Sequence, residues 1–271
     1  MRWVRFDLAG YTRIGYLKDG LVQPVQAASL LDVIAGVETD AAGSALPFES
    51  LNLLAPLRPP KIVCVGLNYM DHCREQKVEP PPAPLLFSKY PTSVIGPEEL
   101  IRWPKGLTEQ VDFEVELAVV IGKTARMVRE DDALSYVFGY TAANDVSARD
   151  LQFGDGQWTR GKSLDTFCPL GPVVVTADEI PDPQKLPLQC RVNGVAYQDS
   201  NTSEMIFPVA QLIAYISRAY TLEPGDVILT GTPHGVGVFR DPKVFMYPGD
   251  VVEIEVSDFG VLRNPIGEPI E

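Results

Sequence analysis

Proline and glycine interrupt this chain about once every six residues: 24 prolines and 22 glycines fall among 271 positions. Each proline removes a backbone donor and fixes φ, so long helices are disfavoured and tight turns between short extended segments are favoured. A β-rich α+β fold with few helices is the expectation. Apolar residues reach 45% of the chain, enough for a sizeable core at this length and too many for a disordered segment.

Turn chemistry divides the sequence. Val4, Phe6 and Leu8 alternate, and residues 14–16 and 21–24 flank Lys18-Asp19-Gly20 as the arms of a hairpin. Ser29 stands ahead of Leu30, Leu31, Val33 and Ile34 as a helix cap. Residues 1–57 therefore read as a small N-terminal α+β domain. Leu57-Arg58-Pro59-Pro60 forms a stiff boundary to a second domain over 58–271. In that domain the apolar run Ile62-Val63-Cys64-Val65, ending at Gly66, predicts a buried strand, and residues 80–84 (Pro-Pro-Pro-Ala-Pro) a loop. Pro224-Gly225-Asp226 and Pro248-Gly249-Asp250 repeat a type II turn ahead of β-branched strands. Helical spacing appears over 209–220 and more weakly over 131–138.

Charge narrows the function. The formal net charge is −13, and an acidic chain with no basic block is repelled by nucleic-acid backbones and anionic membranes. Apolar runs such as residues 117–121 are too short to span a bilayer, and residues 1–7 lack the apolar stretch of a secretory signal. Cys64, Cys73, Cys168 and Cys190 show no CxxC spacing, and there are only two histidines. Neither a disulfide scaffold nor a zinc site of imidazole and thiolate is implied. A cytoplasmic location with reduced thiols is expected.

Five segments could carry chemistry. In Asp112-Phe113-Glu114-Val115-Glu116-Leu117, strand alternation sets three acids on one side and three apolar residues on the other. Such crowded carboxylates suit a hard divalent cation, although a half-solvated antiparallel strand has the same pattern. Asp145, at the end of a strand of small and aromatic residues, could complete a three-carboxylate site or cap the next helical turn. His72 and Glu75 lie three apart after a strand, a spacing that makes either a general base with an orienting carboxylate or an exposed ion pair. Lys162 lies in a glycine-containing loop and could balance an enolate or carboxylate. Thr230-Gly231-Thr232-Pro233-His234-Gly235 could bring backbone N–H groups and the Thr232 hydroxyl to an anion, or could be a plain connection.

Together these residues resemble the fumarylacetoacetate hydrolase superfamily, in particular its 2-hydroxyhepta-2,4-diene-1,7-dioate isomerase and acylpyruvate hydrolase members. The resemblance rests on Val-Gly-Leu-Asn-Tyr (65–69) with His72 and Glu75, and on Asp-Phe-Glu-Val-Glu-Leu (112–117). It continues through Asn-Asp-Val-Ser-Ala-Arg-Asp-Leu-Gln (144–152), Gly161-Lys162, Thr-Gly-Thr-Pro (230–233) and Gly249-Asp250, in order over about residues 61–265. It implies a mixed β-roll catalytic domain, a homodimer, and one magnesium or manganese ion per subunit held by Glu114, Glu116 and Asp145. His72 and Glu75 would form the catalytic dyad on a short lid helix. Lys162 would stabilise an oxyanion, Gln152 would help place water or substrate, and Arg149 and Thr232 would contact substrate oxygens. Leu67 stands where some relatives have arginine. The implied activity is carbon–carbon bond cleavage in a small 2-oxo or 1,3-diketo acid of acylpyruvate type. Oxaloacetate-type decarboxylation, dienedioate isomerisation and a non-catalytic ligand-binding role are the alternatives.

Overall fold

A computed structural model describes all 271 residues. The main sheet has twelve strands. Its continuous path runs Leu46–Pro47, Leu21–Pro24, Tyr11–Lys18, Arg2–Leu8, Cys168–Thr176, Val137–Asn144, Val115–Ile121, Val227–Leu229, Ile62–Gly66 and Leu85–Lys89. Neighbours along this path are antiparallel except Val227–Leu229 and Ile62–Gly66, which run parallel with Ile228 opposite Val63. A four-stranded antiparallel sheet, ordered Val195–Asn201, Pro187–Val192, Val251–Val256 and Val261–Pro265, packs on one face. A two-stranded ribbon pairs Val111–Asp112 with Ser147–Ala148.

Strand alternation on Val115–Ile121 explains both layers. Leu117, Val119 and Ile121 point into the large core shared with Leu188, Cys190 and Ile254 of the smaller sheet. Ala118 and Val120 point the other way, into a second core with Ile62, Cys64, Val174 and Leu229. Every residue of this strand is buried, because it is central and covered on both faces. The half-solvated alternative for this strand is therefore excluded.

Five short helices complete the fold: α1 (Leu30–Ile34), α2 (Met70–Gln76), α3 (Arg149–Asp155), α4 (Thr159–Lys162) and α5 (Val209–Ala219). Ser29 caps α1 through a reciprocal capping box with Asp32. The amphipathic spacing over 209–220 becomes α5, with Leu212, Ile213 and Ile216 buried. The weaker pattern over 131–138 forms 3-10 turns at Glu130–Tyr136 instead of an α-helix. Its three leading acids and single buried alanine give α5 too little apolar surface to stabilise a longer helix. The hairpin turn forms with Asp19 and Gly20 both at positive φ, as a tight two-residue turn requires. Residues 1–57 do not make an isolated sheet, since Arg2 and Trp3 pair with Val175 and Val174 of the main one. No helix is long and apolar enough to cross a membrane.

Candidate metal centre and active site

Register brings the acids together. Val115 pairs with Asn144, so the start of one strand lies beside the end of its neighbour. Two further bonds lock the corner: Glu114 N–H donates to Asn144 Oδ1 at 3.0 Å, and Asp145 N–H to the Glu114 carbonyl at 3.0 Å. Glu114, Glu116 and Asp145 consequently offer carboxylate oxygens within 4.8 Å of one another, all buried. Asp112 does not join them. The strand is interrupted at Phe113-Glu114, and Asp112 instead accepts from Arg149 Nε at 2.8 Å and from the backbone N–H groups of Gly237 and Val238.

Three cations face the cluster. Lys162 Nζ lies 2.9 Å from Glu114 Oε2 and 2.8 Å from Asp145 Oδ2. Lys89 Nζ, fully buried, reaches Asp145 Oδ1 at 2.5 Å and donates to the carbonyls of Val146 and Lys162. Arg149 Nη1 lies 2.7 Å from Glu114 Oε1. Lys162 is not a loop residue but the last residue of α4, and it is buried.

These contacts separate the two glutamates. Burial alone would raise the Glu114 pKa, yet the charges of Lys162 and Arg149 outweigh it and hold the group at about 2. Glu116 is pushed well above the ordinary carboxylate range by burial and by the charges of Asp145 and Glu114. The 2.8 Å hydrogen bond from Gly231 N–H offsets that only in part. Burial works against the charged form of Lys162, but Asp145 and Glu114 raise its pKa on balance. Three buried carboxylates at this separation form a hard-oxygen donor set, and a divalent cation would relieve their repulsion. The residues present fit such a cation.

The dyad stands opposite, on α2. His72 Nδ1 meets Glu75 Oε2 at 2.7 Å, and Glu75 Oε1 accepts from Gly235 N–H at 2.8 Å. Gln76 Nε2 approaches His72 Nε2 at 2.8 Å. Asn68 fixes the start of the helix: its amide donates to the carbonyls of Phe207 and Thr230 and accepts from Phe207 N–H. Asp71 accepts from Ser200 and pairs with His234 Nδ1 at 3.0 Å. With 7% of its surface exposed, His72 is not a solvated helix histidine.

One cavity joins these groups. His72, Glu114, Arg149, Gln152, Lys162 and Thr232 line it, and Leu67, Phe87, Trp158 and Phe239 supply an apolar wall. Glu116, Asp145 and Glu75 do not line it; the first two cluster with Glu114 and the last contacts His72. Gln152 accepts from Arg149 Nη1 at 2.9 Å. Thr232 Oγ1 donates to the Val115 carbonyl and accepts from Gln198 Nε2, which leaves one lone pair for a ligand. Arg149 Nη2 is buried without a partner, a donor that a ligand oxygen would satisfy.

Sequence reading missed Lys89, Gln76, Asn68 and Gln198. Lys89 ends an apolar strand, where lysine ordinarily marks an exposed edge. Gln76 was the one with a signal, since it falls four residues after His72 and so on the same helix face.

Known proteins resemble this chain in sequence and fold. Residues 61–267 match the family model "Fumarylacetoacetate (FAA) hydrolase C-terminal", and residues 1–56 match "Rv2993c-like, N-terminal". The mitochondrial oxaloacetate tautomerase of Xenopus laevis is 52% identical over 80% of this chain and 69% of its own length. A Bos taurus mitochondrial oxaloacetate tautomerase is 51% identical over 82% and 71%. The structure of a fumarylacetoacetate hydrolase from Exiguobacterium antarcticum superposes with a TM-score of 0.91 at 42% identity, covering 99% of both chains. A 2-hydroxyhepta-2,4-diene-1,7-dioate isomerase from Mycobacterium marinum superposes at 0.85 with 37% identity, covering 99% of this chain and 98% of that one. With ordered motifs, fold and relatives in agreement, this chain belongs to the fumarylacetoacetate hydrolase family and is an enzyme of that superfamily.

Proposed function

We propose that this enzyme interconverts the enol and keto forms of a small 2-oxo dicarboxylic acid, with oxaloacetate the leading substrate. The observation that carries the reading is the placement of His72 on the same cavity as Glu114 and Lys162. The names of the tautomerase relatives support the choice of substrate.

Glu75 accepts a hydrogen bond from His72 Nδ1–H and so keeps the lone pair on Nε2. Nε2 takes a proton from the carbon next to the 2-oxo group, or returns it. Lys162 holds the negative charge that grows on the substrate oxygen, and the unpartnered Arg149 Nη2 takes a substrate carboxylate oxygen. Gln152 orients Arg149 through their hydrogen bond. A magnesium or manganese ion held by Glu114, Glu116 and Asp145 would supply Lewis acidity toward the 2-oxo acid. The apolar wall excludes bulk water and favours a small substrate. Four free, buried thiols suit a reducing compartment, and we place the protein in the cytoplasm.

Acylpyruvate hydrolysis is the second reading, favoured by the close superposition on a fumarylacetoacetate hydrolase. It needs the same dyad to activate water. Decarboxylation would release the same enolate without water, and a binding protein would need no base at all.

Enol oxaloacetate decay followed by ultraviolet absorbance, beside pyruvate release and acylpyruvate cleavage, tests these readings together. Acceleration of enol decay with magnesium or manganese, abolished by chelation and by His72→Ala, is the expected result. His72→Ala should still bind the cation in calorimetry. Acylpyruvate cleavage with no effect on enol decay would overturn the proposal in favour of the hydrolase, and inertness in all three assays would favour a binding protein.

A further inference from the structure

We infer that Gln76 sets the reaction's selectivity, by taking the place at His72 that a hydrolytic water would need. The inference rests on the reading of His72 as the base. An ionised Glu75 can only accept, so the neutral imidazole carries its proton on Nδ1 and its lone pair on Nε2. That lone pair faces the Gln76 amide at 2.8 Å, and the amide donates to it. Gln76 itself lines the cavity. The only acceptor nitrogen of the dyad is therefore already hydrogen-bonded by a donor built into the same helix.

The two reactions place different demands on this nitrogen. In hydrolysis, water oxygen bonds to the acyl carbonyl carbon and gives one proton to His72 Nε2. The carbon–carbon bond then breaks with its electron pair left on the pyruvyl carbon, which takes the proton back, and one water is consumed. In tautomerisation, a C–H proton passes to Nε2 and the C–H pair becomes a C=C bond. The carbonyl pair moves onto oxygen, which takes up a proton, and nothing is consumed. Only the first reaction must keep a water on Nε2. The Gln76 amide takes the hydrogen-bonding place at Nε2 that such a water would need, while a substrate anchored by Arg149 and Lys162 can push the amide aside and set its C–H against Nε2. Once displaced, the amide remains in the cavity as a donor and acceptor toward the substrate's oxygens.

The test uses the magnesium-loaded protein as wild type, Gln76→Ala and Gln76→Asn, the last too short to reach Nε2. Enol oxaloacetate and acetylpyruvate are the probes, and hydrolysis is read as oxygen-18 taken from labelled water into acetate. Both variants should raise the ratio of hydrolysis to tautomerisation by roughly tenfold or more. A ratio within about twofold of wild type in both overturns the inference. A second readout is independent of turnover. The chain has two histidines, so nitrogen-15 histidine labelling of metal-free protein resolves His72 from His234. Loss of the amide should move the His72 Nε2 resonance and leave His234 in place; an unmoved His72 signal overturns the hydrogen bond and the inference with it. His72→Ala separates the two levels. If that variant still tautomerises, the base assignment fails; if it is inactive and the Gln76 variants keep the wild-type ratio, only the selectivity role fails.

Discussion

Two ammonium groups meet Asp145, one at each carboxylate oxygen, and their surroundings give them different work. Lys162 lines the cavity and can yield its carboxylate contacts to an incoming cation. Lys89 cannot, because its side chain is wholly enclosed and also bonded to two carbonyl oxygens. Lys89→Met should therefore leave Asp145 buried with half its partners gone. Urea unfolding of the metal-free variant should show a loss of about 3–5 kcal/mol. Magnesium should recover part of it, since the cation replaces some of the missing positive charge. Glu114→Gln should weaken magnesium binding by roughly 10–100-fold in calorimetry, as loss of a charged ligand from a three-carboxylate set. Strand alternation pointed to Glu114 and Glu116 but drew in Asp112 as well and left a half-solvated strand open; only the family resemblance singled out the trio with Asp145. Lys89 was not legible, since its partner lies 56 positions away and only the sheet order brings the two together.

At the scale of elements, α3 and α4 meet through Gly161. A Cβ there would lie 2.7 Å from Gln152 N and 2.9 Å from the Ala148 carbonyl, both backbone atoms with little room to give. Gly161→Ala should push the two helices apart and shift Lys162 away from Gln152. We expect kcat to fall roughly tenfold or more with the fold retained, read from steady-state kinetics beside circular dichroism. Ser29→Ala, by contrast, breaks only the α1 cap, and thermal or urea unfolding should show a loss of about 1 kcal/mol with activity unchanged. The cap, the hairpin and α5 could be read locally because each is specified by residues a few positions apart. The 3-10 turns at Glu130–Tyr136 could not, because that choice depends on how little apolar surface the segment buries against the distant α5. Nor could the break at Phe113-Glu114, which the distant N–H groups of Gly237 and Val238 impose by drawing Asp112 aside.

For the whole molecule, a cation that binds only the folded state adds stability in proportion to the logarithm of its concentration. At one hundred times its dissociation constant, magnesium should add about 2.7 kcal/mol, seen as a rise in Tm that a chelator reverses. We further expect a homodimer, and sedimentation at micromolar concentration yielding a monomer would refute that. The family's named activities, hydrolase, isomerase and tautomerase, share one frame.

The single parallel step in the path, between Ile62–Gly66 and Val227–Leu229, offers a reason. Two chains travelling in the same direction leave the sheet at the same rim, so their continuations emerge as neighbours. One continuation becomes α2 with its imidazole, and the other becomes the stretch that supplies Gly231 and Gly235. Insertions, deletions and substitutions can accumulate along that rim while the hydrogen-bonded ladder below stays unaltered. Diversification of chemistry is thus decoupled from the cost of refolding, and new catalysts can arise here by editing the border alone.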